Sequence, residues 1–168
     1  TLITTIQMRG EKYAMLRFYA VRSLGQLGNA SADVAQALVR TATRDPDQEL
    51  RKEAVSALRN LSSVSADTTD ALAASIVEAA DPELKVRIIE ALADLGSGKA
   101  SELAGELLRG SLPLPLKRRV IQAVSQNPDE IAAGIILDAA ADTKVADFAE
   151  VVLEGFPSAL IRSVVSRR

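Results

Sequence analysis

Apolar residues recur at helical spacing along nearly the whole chain, in short amphipathic segments that are separated by Gly, Pro or Asp. The clearest segment is residues 45–61, in which Leu50, Ala54, Leu58 and Leu61 follow one another at spacings of four, four and three residues. This spacing places the four side chains on one face of a helix. A single helix of this length cannot bury its apolar face alone, so it needs neighbouring helices.

The residues before this apolar face predict where the helix begins. Asp45 is a good N-cap residue, Pro46 suits the first helical position, and Gln48 stands where a capping-box partner would. We therefore predict that Asp45 caps this helix.

The same pattern returns along the chain with a regular period, which shortens toward the C-terminus. The equivalent apolar positions are Leu24, Leu58, Leu92, Val124 and Leu153. A helix of a second type precedes each copy, and a period of about 34 residues with two helices per repeat is typical of an α-solenoid. We predict an all-α fold, a right-handed α-solenoid of the armadillo/HEAT type, with about five helical hairpins.

The predicted repeats form a single domain. They span residues 1–28, 31–62, 67–96, 99–126 and 128–155, and a last helix spans residues 157–168. Within the first repeat, residues 1–9 are predicted to be the remains of a helix whose beginning was cut away and which Gly10 ends, and a helix over residues 11–28 follows it. Because the sequence begins with Thr1 rather than Met, we expect the domain to be a fragment of a longer chain.

The amino-acid composition excludes most kinds of catalytic chemistry within the chain. The chain has no Cys and no His, which excludes disulfides, thiol nucleophiles, imidazole acid–base chemistry and the usual zinc sites within it. It has no run of about 18 apolar residues, so we predict no membrane span. The absence of Cys fits the cytosol, the periplasm or the exterior, of which we favour the cytosol.

The charge pattern argues against a nucleic-acid partner. The net charge is −2, with nine basic and six acidic residues over 1–62 but eight basic and sixteen acidic residues over 63–156. General nucleic-acid binders carry a basic patch and aromatic residues for stacking, whereas this chain has no Trp, two Tyr and three Phe. Lys117, Arg118 and Arg119 point in different directions on a helix and do not form a focused patch.

The acidic residues are the only candidates for a metal site. Asp147, Glu150 and Glu154 share one helix face, but hard cations need several converging oxygens, which one helix face rarely supplies. The segment Gly96–Gly98 lacks the pattern of a phosphate-binding loop. We predict a solvated acidic face, and no metal, cofactor or catalytic residue.

The repeated series of an acid, Leu-Arg, Ala and Leu resembles the HEAT-repeat family, including the bacterial HEAT-like group related to phycobilin lyase subunits. The aromatic positions of tetratricopeptide repeats are missing. The residues that carry the resemblance are Asp45, Leu50, Arg51, Ala54 and Leu58; Glu11, Leu16, Arg17, Ala20, Leu24 and Gly25; and, less faithfully, Asp81, Leu84, Lys85, Ile88 and Leu92.

In the HEAT family the acidic and Arg positions interact along the stack of repeats. This sequence departs from the pattern at Asp81, which is four rather than six residues before Lys85, and at Ser111, which replaces the acid in the fourth repeat. The resemblance implies that Glu11, Asp45, Arg17 and Arg51 are structural, with Lys85 and Lys117 as weaker stand-ins.

The resemblance also implies a binding surface, because the second helices of HEAT-like repeats line the concave face of the solenoid. We predict that a row on these helices contacts a protein partner, with Tyr19 and Arg22 as anchors because aromatic residues and Arg dominate binding hot spots. Ordinary solvated surface is the alternative interpretation. The row consists of Tyr19, Arg22, Gln26, Glu53, Ser56, Asn60, Arg87, Glu90, Asp94, Arg119, Gln122 and Gln126.

Two functions follow from the sequence. The first is a non-enzymatic scaffold for protein–protein interaction, for which no cofactor is expected. The alternative, implied by the resemblance alone, is a bilin-lyase-like subunit that assists chromophore attachment or removal. That alternative needs an apolar or aromatic cleft with acid–base groups, and the sequence shows no strong candidate set for them.

Overall fold

The described part of the chain is entirely helical. The computed structural model describes residues 1–8, 10–28, 31–61 and 64–167, and within these ranges it contains eleven α-helices, one 3₁₀ turn and no strand. Arg9, Ser62 and Arg168, at which three of the predicted segments end, lie outside the described residues, as does the side chain of Glu11.

The helices follow the predicted hairpin pattern and divide between two compact units, an N-terminal unit of residues 1–91 and a C-terminal unit that begins at Leu92. A 3₁₀ turn at Glu11–Tyr13 stands between the first two helices. The α-helices are α1 (Leu2–Ile6), α2 (Ala14–Leu27), α3 (Ala32–Arg44), α4 (Gln48–Arg59), α5 (Ala66–Glu78), α6 (Pro82–Asp94), α7 (Lys99–Arg109), α8 (Leu114–Val124), α9 (Glu130–Ala140), α10 (Ala146–Glu154) and α11 (Ser158–Ser166).

The core of the N-terminal unit is built on α4. This helix packs against α2 and α3, and α3 packs against α5. The four side chains of the predicted apolar face are all buried, with exposed fractions of 1% for Leu50, 0% for Ala54 and Leu58, and 5% for Leu61. The sequence prediction of this face is therefore confirmed.

The predicted N-cap of α4 is wrong by two residues. The N-cap is Asp47, whose carboxylate accepts from the backbone N–H groups of Glu49 (3.0 Å) and Leu50 (3.3 Å). Asp45 is instead the last, extended residue after α3, and it is buried. Gln48 does not complete a capping box, because its side chain donates to Asp81 at 2.7 Å.

The equivalence of Leu16 and Leu50 in the sequence does not extend to their burial. Leu50 is 1% exposed, whereas Leu16 in α2 is 53% exposed. Helix α4 packs against α2 and α3 and also contacts α6 through Ser56 and Arg59, whereas the α-helices that pack against α2 among the described residues are α1 and α4.

Helices α2 and α4 approach each other very closely at Gly25. A Cβ atom at this position would lie 2.7 Å from the Cα atom and 2.8 Å from the Cβ atom of Ala57. Both residues are buried. The glycine therefore sets the distance between the second helices of two successive hairpins.

In the C-terminal unit, α9 packs against α7, α8, α10 and α11. Its core includes Ile121 and Ile136, which are fully buried. Helix α10 begins at Ala146, and Leu153, predicted to be equivalent to Leu58, is only half-buried. The repeat is thus looser here, in agreement with its shorter period.

The N-cap of α9 is again an Asp, and the Glu that follows it makes contacts of its own. Asp129 caps α9 by accepting from the backbone N–H of Ala132 at 2.6 Å. Glu130 accepts from the Ser163 hydroxyl at 3.0 Å and from the Arg167 guanidinium at 2.6 Å. Its carboxylate therefore joins α9 to α11.

We expect Gly25→Ala to destabilise the protein, although alanine is the better helix former by about 1 kcal/mol. The added methyl group would force α2 away from Ala57, and overpacking of this kind costs about 1–3 kcal/mol. Urea unfolding followed by circular dichroism measures the change. The matched control is Gly98→Ala, since a Cβ there meets no atom within 4 Å; equal stabilities of the two variants would contradict the prediction.

Candidate protein-interaction surface

A buried ion pair joins the first two hairpins. The Arg17 guanidinium on α2 donates to the Asp45 carboxylate at 2.6 Å, and both side chains are only 7% exposed. The same carboxylate oxygen accepts from the backbone N–H of Asp47 at 3.0 Å, and Arg51 donates to the Asp45 carbonyl at 2.7 Å. The structural role that the family resemblance implied for Arg17, Asp45 and Arg51 is confirmed.

A related contact occurs one repeat later, displaced by two positions. Asp81 is the equivalent of Asp47 in the next repeat and, like it, accepts from the N–H two positions ahead, at 3.1 Å. Its carboxylate accepts from Gln48 at 2.7 Å and pairs with Lys52 at 3.5 Å. Ala79 stands where Asp45 does, at the extended end of the preceding helix. This displacement explains why Asp81 departs from the family spacing.

The C-terminal unit contains one contact of the same kind. Lys117 on α8 donates to Asp142 at 2.6 Å, and Asp142 also accepts from the backbone N–H of Lys144 at 3.1 Å. Lys117 is thus structural, as predicted. In each case a side chain from one hairpin binds an Asp in the turn of the following hairpin.

The contacts at Asp81 and Asp142 change the acidity of these groups. Burial by itself would raise the pKa of Asp81, but the hydrogen bonds from Gln48 and the Glu83 N–H, together with the Lys52 charge, lower the pKa below its ordinary value. The hydrogen bond from Lys117 holds the pKa of Asp142 below its ordinary value. The hydrogen bond to Glu49 raises the pKa of Lys52, against its partial desolvation and with help from Asp81.

The structure brings part of the predicted row together in the N-terminal unit. Arg87 on α6 donates to the Ser56 hydroxyl on α4 at 3.2 Å, and also to Glu83 at 3.0 Å. Arg59 on α4 pairs with Glu90 on α6 at 3.4 Å. The second helices therefore lie side by side, with Arg87 and Glu90 engaged in contacts between them.

Exposure divides the predicted row into two classes. The second helices of the hairpins are α2, α4, α6 and α8. Exposed residues of the row lie on each of these helices or just after its end, and half-buried residues of the row lie on α4, α6 and α8. The exposed members are Tyr19, Arg22, Gln26 and Asn60 in the N-terminal unit and Asp94, Gln122 and Gln126 in the C-terminal unit. The half-buried members are Glu53, Ser56, Arg87 and Glu90 in the N-terminal unit and Arg119 in the C-terminal unit.

Sequence reasoning missed two residues beside the predicted anchors. Met15 and Leu16 are 62% and 53% exposed, and they stand within one helical turn of Tyr19, which is 55% exposed. We call these three residues the α2 patch. The Tyr19 ring meets Phe18 edge to face at 6.2 Å, and the exposed Arg22 follows one turn later. The available signal was the comparison with α4, where the polar residues Glu49 and Glu53 occupy the positions equivalent to Met15 and Tyr19.

Three cavities among the described residues, of about 700, 360 and 160 Å³, have no aromatic lining residue. Within the described ranges no group of three or more His, Cys, Asp or Glu residues could hold a metal ion. No helix of those ranges is long and apolar enough to cross a membrane.

No protein-family model and no curated protein matches the chain. Solved structures similar to it include a designed armadillo repeat protein, with 14% sequence identity, a TM-score of 0.56, and coverage of 98% of this chain and 86% of that chain. Two engineered proteins of the Northeast Structural Genomics Consortium are 20% and 18% identical, with TM-scores of 0.57 and 0.55. Both cover 98% of this chain, with 84% and 50% of their own chains.

At these identities the likeness shows the fold alone. The predicted fold class, an all-α solenoid of armadillo/HEAT type, is confirmed, since all secondary structure of the described residues is helical and the similar structures include a designed armadillo repeat protein. The relation to phycobilin lyases is not shown by these comparisons and stays a prediction.

We expect Asp45→Asn to destabilise the protein by about 3–5 kcal/mol, because it leaves the Arg17 charge buried without a counter-charge. Urea unfolding at neutral pH measures the loss. The control is Glu130→Gln, which removes the exposed ion pair to Arg167, with side chains 46% and 68% exposed, and should cost at most about 1 kcal/mol. Similar losses of unfolding free energy in the two variants would show that the buried ion pair stabilises the protein no more than the exposed one does.

The Asp81 carboxyl should titrate below 3.8, its ordinary pKa. A lowered folded-state pKa means that the carboxylate stabilises the fold fully above the unfolded-state value and loses this effect as the pH falls through the folded-state value. The difference in unfolding free energy between the native chain and Asp81→Asn should therefore shrink below pH 3.8. NMR titration of the carboxyl carbon gives the pKa directly, and a value at or above 3.8 would contradict the prediction.

Proposed function

We propose that the protein is a non-enzymatic scaffold that binds a protein partner through the second helices of its N-terminal unit. The observation that carries this proposal is the α2 patch, where Met15, Leu16 and Tyr19 are each more than half exposed. On α4, the position equivalent to Leu16 is filled by the buried Leu50. The patch thus presents side chains of the kind that the repeat elsewhere buries.

The chemistry of the α2 patch resembles that of a binding hot spot. Burial of apolar surface is worth about 25 cal/mol per Å², and a Tyr beside an Arg is the pair of residue types that most often carries interface energy. Contiguous exposed apolar side chains on a polar surface are typical of interaction sites. The partner should offer apolar side chains to Met15, Leu16 and Tyr19, and a carboxylate to Arg22.

The rest of the predicted row supports this surface by extending it. Ser56 and Arg87 connect α4 to α6, so that the second helices of the N-terminal unit form one continuous face. Solenoid folds commonly bind their partners along such a face. In this proposal the exposed Gln26 and Asn60 are peripheral contacts, and the half-buried Arg87 and Glu90 keep the helices in place.

The bilin-lyase-like alternative has no comparable observation behind it. A linear tetrapyrrole needs an apolar or aromatic cleft with acid–base groups, and the three cavities described above lack aromatic residues. The absorption spectrum of a bilin should not change when the purified protein is added.

We expect Tyr19→Ala combined with Arg22→Glu to abolish partner binding without unfolding the protein, because both side chains are exposed. Loss of a hot spot of about 2 kcal/mol or more weakens binding at least about 30-fold. The measurement is affinity capture from the source cells with the full chain, with co-purifying proteins quantified by mass spectrometry.

The matched control is Val165→Ala combined with Arg162→Glu, which alters an exposed apolar residue and an exposed Arg on α11. The partner should be recovered with the native protein and with this control, and lost with the α2 variant. Equal recovery with both variants would refute the proposed surface.

A further inference from the structure

A second surface lies on the first helices of the hairpins, away from the predicted row. Helices α3 and α5 pack side by side in the N-terminal unit, and a groove of about 700 Å³ runs between them. This volume is within the range of about 300–1,000 Å³ that ligand sites usually have. We call this groove between the two helices the α3–α5 groove.

Small side chains on α5 leave room for the groove. Ala74 holds the position on α5 that Arg40 holds on α3 one repeat earlier, and it lines the groove together with Ala71 and Ser75. A Cβ methyl group at position 74 fills far less space than a guanidinium side chain would. The opening is therefore a property of the α5 sequence.

The floor of the groove combines a buried apolar side chain with hydroxyl groups that already donate hydrogen bonds. Val39 is buried, and the buried Ser75 hydroxyl donates to the carbonyl of Leu72 at 2.6 Å. The Thr43 hydroxyl likewise donates to the carbonyl of Arg40 at 3.2 Å. Because these hydroxyls donate to their own helices, the floor favours small apolar side chains over groups that need new hydrogen-bond donors.

Charged residues at the two ends of the groove determine the direction in which a peptide would bind. Residues from the first and last turns of both helices line the groove, so it follows the length of these 13-residue helices, about 20 Å. Arg40, Arg44 and Glu78 line one end, which is net positive, and Asp67 lines the other end. Among the described residues, neither Arg40 nor Arg44 is paired with a carboxylate, and both are exposed.

We propose that the α3–α5 groove binds an extended peptide segment of about six residues, with small apolar side chains in its centre, acidic residues at one end and a basic residue at the other. Six extended residues at about 3.3 Å each span the length of the groove. The acidic end lies against Arg40 and Arg44, and the basic end lies against Asp67. This site is independent of the α2 patch.

The test uses two fluorescein-labelled synthetic peptides and fluorescence anisotropy with the full chain. The first probe is Lys-Ala-Val-Ala-Glu-Glu, and the control probe is Lys-Ala-Val-Ala-Lys-Lys. The native protein should bind the first probe at least 10-fold more tightly than the control, and this preference should decrease as salt is added. Equal affinity for the two probes would overturn the proposal.

Two variants locate the site. Arg40→Glu combined with Arg44→Glu should reverse the preference between the probes, and Ala74→Phe, which adds volume without charge, should weaken the first probe at least 10-fold by filling the groove. The matched control, Arg109→Glu, changes an exposed Arg in the last turn of α7 and should leave binding unchanged. Unchanged affinity in Ala74→Phe, with circular dichroism showing a native helix content, would place the peptide elsewhere and refute the groove.

One more variant separates this inference from the scaffold proposal. Tyr19→Ala combined with Arg22→Glu should bind the first probe as the native chain does, because neither residue lines the groove. An equal loss of binding in this variant would assign the peptide to the α2 patch and overturn the groove.

Discussion

The contact between successive hairpins depends on a side chain of one hairpin that binds an Asp in the turn of the following hairpin. The Arg17–Asp45 pair is the most buried example, and burial of two charges costs several kcal/mol of desolvation per ion. Only close geometry and further hydrogen bonds offset that cost, and here the Asp47 N–H supplies one of them. The pair consequently fixes the turn between α3 and α4 and, with it, the position of α2 against α4.

The close approach of α2 to α4 at Gly25 is the apolar counterpart of this ion-pair contact. With no Cβ at Gly25, α2 comes within contact distance of the Ala57 backbone. Between the neighbouring second helices α4 and α6, polar contacts join Ser56 to Arg87 and Arg59 to Glu90. The predicted row is therefore only partly a free surface, because some of its members hold the helices together.

Much of the fold could be predicted from the sequence because the apolar face of each helix repeats with the period of the hairpin. What periodicity cannot decide is which of two good capping residues is used. Asp45 and Asp47 are both suitable, and the choice depends on Arg17, which lies 28 residues away in the sequence and approaches Asp45 only in the folded chain. The exposure of Leu16 escaped prediction for a similar reason, since it depends on which helices pack against α2 in the folded chain.

The candidate surfaces were harder to predict because they arise where successive repeats differ. Tyr19, Glu53 and Arg87 occupy equivalent positions in three successive repeats, yet one is an exposed aromatic residue and the other two are half-buried charges. Arg40 and Ala74 are equivalent in the same way, and their difference in size opens the α3–α5 groove. Equivalent residues that stay alike, such as Leu24, Leu58 and Leu92, remain buried in the core. Specificity in this chain should therefore lie in the differences between its repeats, because the shared positions are already occupied in holding the hairpins together.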